Sequence, residues 1–414
     1  MQCPHTPLMA REPSSPNGEK RAMLRLGWFI PTRATRGAIC VAELCEAINR
    51  VGHSATIYAF AFDDSFSPSL QSPLPSDSQM RQSSWWMDQG LDVAVFYRLN
   101  VFDPQALKAA RDAGTTVVIE TDSDGHVSAR QNLFRELKIR RDRSLTCIHQ
   151  LRSWKAALDR WWQSTRFDSQ VLASFEQAHW IKIESDLPAR ILKDFLESRN
   201  RRDLAKKLVV VPFAVRSEFT SGPVRQDRKK RIVAAGRLNS NQKAPNAMAF
   251  LAAAIGEKLP DTELELHVRG DVSMFATLAN RWPNVKVFQD SKPEFLRNRL
   301  TQSRILLSTS KWETTPIQGL EALCSGCTIV APNSVPGYAS LIGNNDYGCT
   351  YTTKYQAIDA LTCELNNWCN HKRDAVAISN HWRAICDLEH VAQKFCDLTV
   401  GDHALHGPLI STKA

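Results

Sequence analysis

The residues best suited to chemistry are two glutamates, Glu313 and Glu321, which lie eight positions apart. Carboxylates accept hydrogen bonds from sugar hydroxyls. Between them, Pro316 stands where a helix can begin, so that Gln318 to Glu321 would form its first turn. Free amides and a partial positive charge at such a turn suit a diphosphate. The stretch therefore predicts a site in which carboxylates hold sugar hydroxyls on either side of a bound diphosphate.

Two predicted strands position these glutamates. The apolar run Ile305–Leu307 predicts a buried parallel strand, and 308–310 (Ser-Thr-Ser) a loop. Gly326 is expected to end the helix, and 328–330 (Thr-Ile-Val) to start the next strand. The order strand, acidic loop, helix, strand places both carboxylates around one helix end.

The spacing Glu313-x7-Glu321, followed by Ala-Leu-x-x-Gly, resembles the signature of the retaining glycosyltransferases of family 4, which have the two-domain GT-B fold. The resemblance implies that Glu313 contacts the donor sugar and Glu321 the ribose of a nucleotide-sugar. It also implies that the residues between them offer backbone amides to the donor, namely Thr314, Thr315, Pro316 and Ile317. The alternative is that one glutamate is a solvated helix charge and the other an N-terminal cap.

A second motif supplies positive charge. The run IVAAGRLNSNQK reads as a strand followed by Gly236, Arg237 and then Lys243, and resembles the phosphate-binding element of the same family. Arg237 and Lys243 would neutralise the donor diphosphate as the glycosidic bond breaks. The spacing from arginine to lysine is one residue longer than the commonest spacing in that family, so Asn241 is an alternative to Lys243 at this position of the motif. Both cations could instead be surface charges.

Two loops in the first half of the chain are candidates for the acceptor side. The resemblance implies a glycine in the first loop, at Gly37, where the backbone approaches the donor phosphate or the acceptor; a plain tight turn is the alternative. The strand 115–120 runs into Asp122, Asp124 and His126, and in relatives a His or Asp here lies beside the transferred sugar. The alternative is a turn with capping aspartates and a surface histidine.

Residues 130–166 contain ten Lys or Arg and three acidic residues, interleaved with Trp154, Trp161 and Trp162. A basic helix bearing tryptophans could lie on an anionic membrane, where lipid-linked acceptors are found. It could also be a solvated face with its tryptophans packed inward. The sequence leaves both interpretations open.

The length and composition of the chain favour a globular protein of two domains. The chain has 414 residues, of which 43% are apolar and 23% charged, with a formal net charge of +9. No apolar run approaches a membrane span, and the first twenty residues lack the apolar centre of a secretory signal. The eleven cysteines favour reduced thiols, and packing is the preferred interpretation of Cys324 and Cys327, whose spacing would also suit a metal.

The predicted fold is α/β, with two Rossmann-like, doubly wound parallel-sheet domains facing a central cleft. The expected divisions are a disordered lead-in (1–21), an acceptor domain (22–222), a donor domain (231–384), a terminal helix returning to the first domain (385–400) and a tail (401–414). Within this scheme, 31–37 are expected to form a polar loop, 61–90 a long connection and the charged run 225–231 the linker.

The predicted activity is retaining transfer of a hexosyl group from a nucleotide-sugar to a saccharide or lipid-linked acceptor, in glycan or glycolipid assembly. Neither a cofactor nor a metal is expected, and the expected location is cytoplasmic, peripheral to the inner face of the membrane. One alternative is a GT-B relative that performs epimerisation or donor hydrolysis, or is an inactive scaffold. Another is a nucleic-acid-binding protein that uses 130–166, although no helix-turn-helix or zinc-finger pattern occurs, and nucleic acid is not an expected partner.

Overall fold

The computed structural model describes residues 23–34, 39–62, 66–98, 102–128, 133, 137 and 147–400, which form two parallel β-sheets covered by helices. The predicted lead-in (1–21), the tail (401–414) and Gly37 lie outside the described residues.

The first sheet has seven strands in the order β3-β2-β1-β4-β5-β6-β7, and all of its pairings are parallel. Its order reverses between β1 and β4, so ligands are expected at the carboxyl ends of these strands. The strands are β1 (Arg25–Ala34), β2 (Ser54–Phe62), β3 (Gln71–Pro73), β4 (Val93–Tyr97), β5 (Thr116–Glu120), β6 (Trp180–Ile183) and β7 (Leu208–Val210).

The second sheet has six strands, also all parallel, in the order β10-β9-β8-β11-β12-β13. Its order reverses between β8 and β11. The strands are β8 (Arg231–Gly236), β9 (Glu263–Val268), β10 (Val285–Gln289), β11 (Ile305–Leu307), β12 (Thr328–Pro332) and β13 (Gly348–Tyr351).

Helices connect the strands of both sheets. In the first half of the chain these are α1 (Ile39–Arg50), α2 (Asp77–Met80), α3 (Ser83–Gln89), α4 (Pro104–Asp112), α5 (Cys147–Trp162), α6 (Ser164–Gln177), α7 (Asp186–Ser198) and α8 (Arg202–Ala205). The second half contributes α9 (Ser217–Thr220), α10 (Pro245–Lys258), α11 (Ser273–Arg281), α12 (Pro293–Leu300), α13 (Ile317–Cys324), α14 (Pro336–Ile342), α15 (Gln356–Cys369), α16 (Ala375–Cys386) and α17 (Leu388–Val400). None of the helices in the described ranges combines the length and the apolar content that crossing a bilayer requires.

Alternation along β1 explains why the first sheet is covered on both faces. Trp28 belongs to one buried apolar cluster and Phe29 to another, on the opposite face. The strand also continues to Ala34, so the predicted polar loop from Pro31 is wrong for residues 31–34. An irregularity between Ile30 and Arg33 absorbs the proline, which has no N–H to donate to the ladder.

The connection predicted at 61–90 is largely structured. Residues 66–90 contain β3, α2, α3 and a short 3-10 turn. Trp86 is fully buried and its indole N–H donates to the Met80 carbonyl at 2.8 Å. The polar composition of the segment concealed these two buried residues, which pack it against the core.

The chain passes from the first sheet to the second core upstream of the predicted linker. Val211 packs in the first domain, whereas Val215 and Phe219 are buried in the core of the second. The charged run 225–231 is part of the second domain, because the buried Arg228 donates to three backbone carbonyls there. The charge of Arg228 therefore does not mark solvent exposure.

The chain returns to the first domain at α17. Phe395 on this helix lies against Trp28, with ring centroids 5.0 Å apart, and its apolar face packs on α1. The two segments in which the chain passes between the domains contact each other, since the Val215 amide donates to the Cys386 carbonyl at 2.9 Å.

Candidate active site between the two domains

A cavity of about 590 Å³ lies at the carboxyl ends of the strands of the second sheet and extends to α1 of the first domain. Five cationic and three acidic side chains contribute to its lining: Arg216, Arg237, Lys243, Arg269, Lys292, Asp290, Glu313 and Glu321. Both motifs singled out from the sequence thus meet in one place. The excess of positive charge favours an anionic ligand.

Glu313 is held by three donors. Its carboxylate accepts from Lys243 Nζ at 2.6 Å, from Gln242 Nε2 at 3.0 Å and from Ser310 Oγ at 2.7 Å. The glutamate is buried, and the pairing compensates for the loss of its hydration. Lys243 also donates to Gln318 Oε1 at 3.1 Å, which links the lysine to the first turn of α13. Lys243, and not Asn241, therefore reaches the cavity.

The N-terminal end of α13 faces the cavity. The helix begins at Ile317 with Pro316 as its N-cap, and no side chain caps it. The amides of Ile317, Gly319 and Leu320 donate to the Thr315 and Pro316 carbonyls, so this end offers a ligand chiefly the positive end of the helix dipole. The hydroxyl of Thr315, which lines the cavity, is buried and has no hydrogen-bond partner among the described residues. This end of the helix is suited to phosphate or sugar oxygens.

Gly236 lets β8 approach this helix closely. Its φ is +111°, and a Cβ added there would lie 2.3 Å from the Gln318 side-chain nitrogen. The next residue, Arg237, is exposed and has no ion-pair partner within the described part of the chain. Its guanidinium is free to receive a phosphate.

Glu321 is buried against Arg216, whose guanidinium donates to Glu321 Oε1 at 2.6 Å. Burial raises the pKa of Glu321, and the charge of Arg216 opposes that rise. Because the second carboxylate oxygen is not engaged in this bond, the pair presents an oriented acceptor to a hydroxyl in the cavity.

The first domain adds a third carboxyl group to this pair. Burial raises the pKa of Glu43 on α1 to about 7, while Arg216 acts to lower it. Glu43 Oε2 is buried and makes no hydrogen bond with the described residues. One turn earlier on the helix, Cys40 lines the cavity, and burial raises the pKa of its thiol. The site is therefore completed by α1.

The other end of the cavity is formed by the loops after β9 and β10. Arg269, Asp290, Ser291 and Lys292 line it, above the imidazole of His267. That ring stacks on Phe288 with centroids 4.9 Å apart and shares a 2.8 Å hydrogen bond between Nδ1 and Ser291 Oγ. An aromatic floor with polar groups above it suits a planar heterocycle.

The acidic candidates of the first domain lie outside the lining of this cavity. Asp122 pairs with Arg98 at 3.3 Å and lies within hydrogen-bonding reach of the Thr314 side chain, next to Glu313. Asp124 is buried and accepts from the backbone amide of His126 at 3.2 Å, while His126 Nδ1 lies 3.5 Å from Asp124 Oδ1. Asp122 thus joins the acidic loop to the donor loop, whereas Asp124 organises the turn.

A buried ionic cluster supports this acidic loop from below. Lys182 pairs with Glu120 and lies 3.5 Å from Glu184. Burial raises the pKa of Glu184 to about 7, and the neighbouring Lys182 opposes the rise. The Trp28 indole donates to the other oxygen of Glu120 at 3.0 Å. The end of β5 is consequently fixed immediately before Asp122.

Sequence reasoning missed Arg216, Glu43, Cys40, Gln318 and Lys292. Arg216 stands in no recognisable motif and meets Glu321 across 105 positions of the chain. A signal did exist on α1, because Glu43 interrupts an otherwise apolar stretch between Val41 and Leu44. An ionisable group among core positions is a recognised sign of function.

No group of three or more His, Cys, Asp or Glu side chains able to hold a metal ion occurs among the described residues. Cys324 and Cys327 are buried in the core of the second domain, and Cys327 Sγ lies 3.1 Å from the Leu300 carbonyl oxygen. The nine cysteines whose side chains are described are free thiols.

Comparison with known families finds a match over the second domain. Residues 216–382 match the family described as Glycosyl transferases group 1. No curated protein matches the chain in sequence.

Solved structures resemble nearly the whole chain at low identity. WaaG, a glycosyltransferase involved in lipopolysaccharide biosynthesis, is 14% identical, with a TM-score of 0.56 over 91% of this chain and all of that one. A sucrose-phosphate synthase from Thermosynechococcus elongatus is 12% identical, with a TM-score of 0.58 over 91% and 98%. A putative UDP-N-acetylglucosamine 2-epimerase from Listeria monocytogenes is also 12% identical, with a TM-score of 0.54 over 91% and 95%. Together with the two parallel sheets, these likenesses confirm the predicted GT-B fold.

Proposed function

We propose that this protein is a retaining glycosyltransferase of family 4 that moves a hexosyl group from a nucleotide-sugar to an acceptor hydroxyl. The observation that carries the proposal is the meeting of Arg237, Lys243, Glu313 and Glu321 in one cavity at the N-terminal end of α13. The match of residues 216–382 to Glycosyl transferases group 1 supports it, because this range contains all four residues.

We assign the donor an orientation along the cavity from the chemistry of the lining residues. The heterocycle lies over His267, the ribose hydroxyls donate to Glu321, and the diphosphate lies between Arg237 and the N-terminal end of α13. The sugar then reaches Glu313, whose bond to Lys243 keeps its carboxylate oriented. A nucleoside diphosphate thus meets positive charge where its own charge is greatest.

Catalysis is proposed to act mainly on the leaving group. As the bond from the anomeric carbon to the diphosphate oxygen breaks, negative charge grows on that oxygen and Arg237 and Lys243 stabilise it. These cations can do so without a metal ion or a cofactor. Closure of the two domains would exclude water and protect the donor from hydrolysis.

The acceptor is proposed to enter from the first domain. Asp122 lies against the donor loop through Thr314, and His126 follows it on the same loop. We assign Asp122, Asp124 and His126 to the acceptor side, with His126 beside the reacting hydroxyl. The acceptor is a saccharide or a lipid-linked saccharide, made into a glycan or glycolipid at the cytoplasmic face of a membrane.

The proposal is tested with a panel of nucleotide-sugars, first by thermal shift and then by transfer of labelled sugar. We expect one donor to raise the melting temperature, and Arg237→Ala to weaken its effect and reduce transfer by about a hundredfold or more. Arg225→Ala is the matched control, because Arg225 is an exposed arginine of the same domain outside the cavity. Glu321→Ala should weaken donor binding, whereas the exposed Glu257→Ala should not.

The same assay separates the alternatives. Release of free sugar at the same rate with and without acceptor would indicate a hydrolase, and conversion of the donor sugar to its epimer an epimerase, an activity assigned to a protein of this fold. Unimpaired turnover by Arg237→Ala and Glu321→Ala would refute the proposed site. Salt-sensitive binding of nucleic acid with no affinity for any nucleotide-sugar would refute the function.

A further inference from the structure

Helix α5 leaves a stripe of large apolar side chains open to solvent. Leu151 is 64% exposed, Trp154 40%, Leu158 49% and Trp162 82%. Their spacings of three and four residues place all four on one face of the helix. Such contiguous exposure on a helix marks an interaction surface more strongly than scattered apolar residues do.

The helix is seated on the protein by a different face. Ala157 is 2% exposed, and Ser164 at the start of α6 is also buried. Trp154 and Trp162 therefore do not pack inward, whereas Trp161 is half-buried. Trp162 contacts the ring of its neighbour Trp161, with centroids 6.4 Å apart, but the four side chains of the stripe stay open to solvent.

Basic residues flank the stripe. Arg152, Lys155 and Arg166 are exposed, and the 147–166 stretch carries four basic residues against a single acid, Asp159. Lysine and arginine beside an apolar stripe complement an anionic lipid surface. Tryptophan suits the boundary between headgroups and acyl chains, because its ring is apolar and its N–H is polar.

We infer that α5 is a peripheral docking helix for an anionic lipid bilayer, with Leu151, Trp154, Leu158 and Trp162 inserted and Arg152 and Lys155 against the headgroups. A second copy of this chain fits less well, since two α5 helices facing each other would bring like charges together. The helix is about 24 Å long at 1.5 Å per residue, enough to lie along a membrane surface.

The place of α5 in the fold connects this surface to the candidate site. The crossover from β5 to β6 begins with the acidic loop at Asp122 and His126 and later contains α5. A bilayer bound by α5 is thus bound by the domain that we assign to the acceptor. The inference is measured without any donor, so its failure and that of the proposed function are separate results.

Binding is tested by co-sedimentation of the full chain with vesicles of phosphatidylcholine, alone or mixed in equal parts with phosphatidylglycerol. We expect association with the mixed vesicles and little with the neutral ones. The double variant Trp154→Ser/Trp162→Ser should reduce the partition coefficient by about tenfold or more, because it removes the largest inserted surface. Arg152→Gln/Lys155→Gln should reduce it by about fivefold for each charge and weaken its dependence on salt.

Two matched control variants test whether any loss of exposed apolar surface or of positive charge would reduce vesicle binding. Phe60→Ser/Met87→Ser removes exposed apolar side chains of the same domain, 83% and 61% exposed, away from α5. Lys206→Gln/Lys258→Gln removes two exposed lysines elsewhere. Both should bind vesicles like the parent chain. Far-ultraviolet circular dichroism and the melting temperature should be unchanged in every variant, because all the replaced side chains are exposed.

Three outcomes would overturn the inference. The first is absence of binding to the mixed vesicles, and the second is equal binding by the tryptophan variant and its control. The third is self-association in analytical ultracentrifugation that the tryptophan substitutions abolish while vesicle binding is absent, which would assign the stripe to a second copy of the chain.

Discussion

Glu43 offers the clearest test of the electrostatics at the domain junction. Burial raises its pKa from 4.5 to about 7, Arg216 acts to lower it, and nearby carboxylates reinforce the rise. A folded-state pKa above the unfolded value means that the folded protein binds the proton more tightly. The resulting stability is fully present below about pH 4.5 and is lost as the pH rises through about 7.

The substitution Glu43→Gln imitates the protonated group and should remove this dependence. The interval from 4.5 to about 7 corresponds to about 3.5 kcal/mol at about 1.4 kcal/mol per pH unit. Since Glu43 is only partly buried, solvent screening reduces this to about 1–2 kcal/mol. The melting temperature of the variant should be about 2 to 8 °C above that of the parent at pH 8 and equal to it near pH 4.5.

The assay is the melting temperature of both chains across this pH range, followed by calorimetry. The control is Glu257→Gln, an exposed glutamate that is not among the charges acting on Glu43, and its melting temperature should follow that of the parent. Glu184 titrates in the same range but is present in all three proteins, so its contribution cancels. A constant difference between Glu43→Gln and the parent at all pH values would refute the reasoning.

Three further substitutions test the fold around the site. Lys182→Met should lower the free energy of unfolding by about 3–5 kcal/mol, because it strands buried carboxylates, and adding Glu120→Gln should recover part of the loss. Phe395→Ala should cost about 3–5 kcal/mol in urea unfolding, because it opens a cavity against Trp28. Gly236→Ala should weaken binding of nucleoside diphosphates by about tenfold or more in calorimetric titration, because its Cβ would displace the Gln318 side chain, which lines the cavity and accepts from Lys243.

Each of these three substitutions has a control substitution that isolates the physical cause of its effect. Lys206→Met removes an exposed lysine and should be neutral. Val376→Ala truncates a side chain that is 39% exposed and should cost far less than Phe395→Ala. Gly114 also has a positive φ, +87°, but there is open space around a Cβ added at this position. An equal loss of nucleotide affinity in Gly114→Ala would therefore contradict the steric argument.

The second domain was the more predictable one, because its site residues lie in strand-loop-helix units whose order the sequence displays. Glu313 precedes one helix and Glu321 lies within it, while Gly236 ends one strand and Arg237 and Lys243 follow that strand, so local pattern was enough to bring each group together. The spacing that cast doubt on Lys243 is accommodated by a 3-10 turn over Asn241–Lys243.

Contacts between distant segments were not predictable from local pattern. Arg216 carries no motif, and it meets its partner Glu321 only when the chain folds back across 105 positions. The charged run at 225–231 was misleading, since burial of Arg228 depends on carbonyls that later segments supply. Exposure of Trp162 likewise depends on which face of α5 the rest of the domain covers.

The return of α17 to the first domain determines how the protein can be divided. A fragment that ends at residue 222 would lose Phe395 and its neighbours and leave Trp28 and the inner face of α1 uncovered. Such a half would be expected to aggregate on expression. Adding α17 as a separate peptide should restore its solubility, and limited proteolysis near Asp387 should leave the severed helix in place.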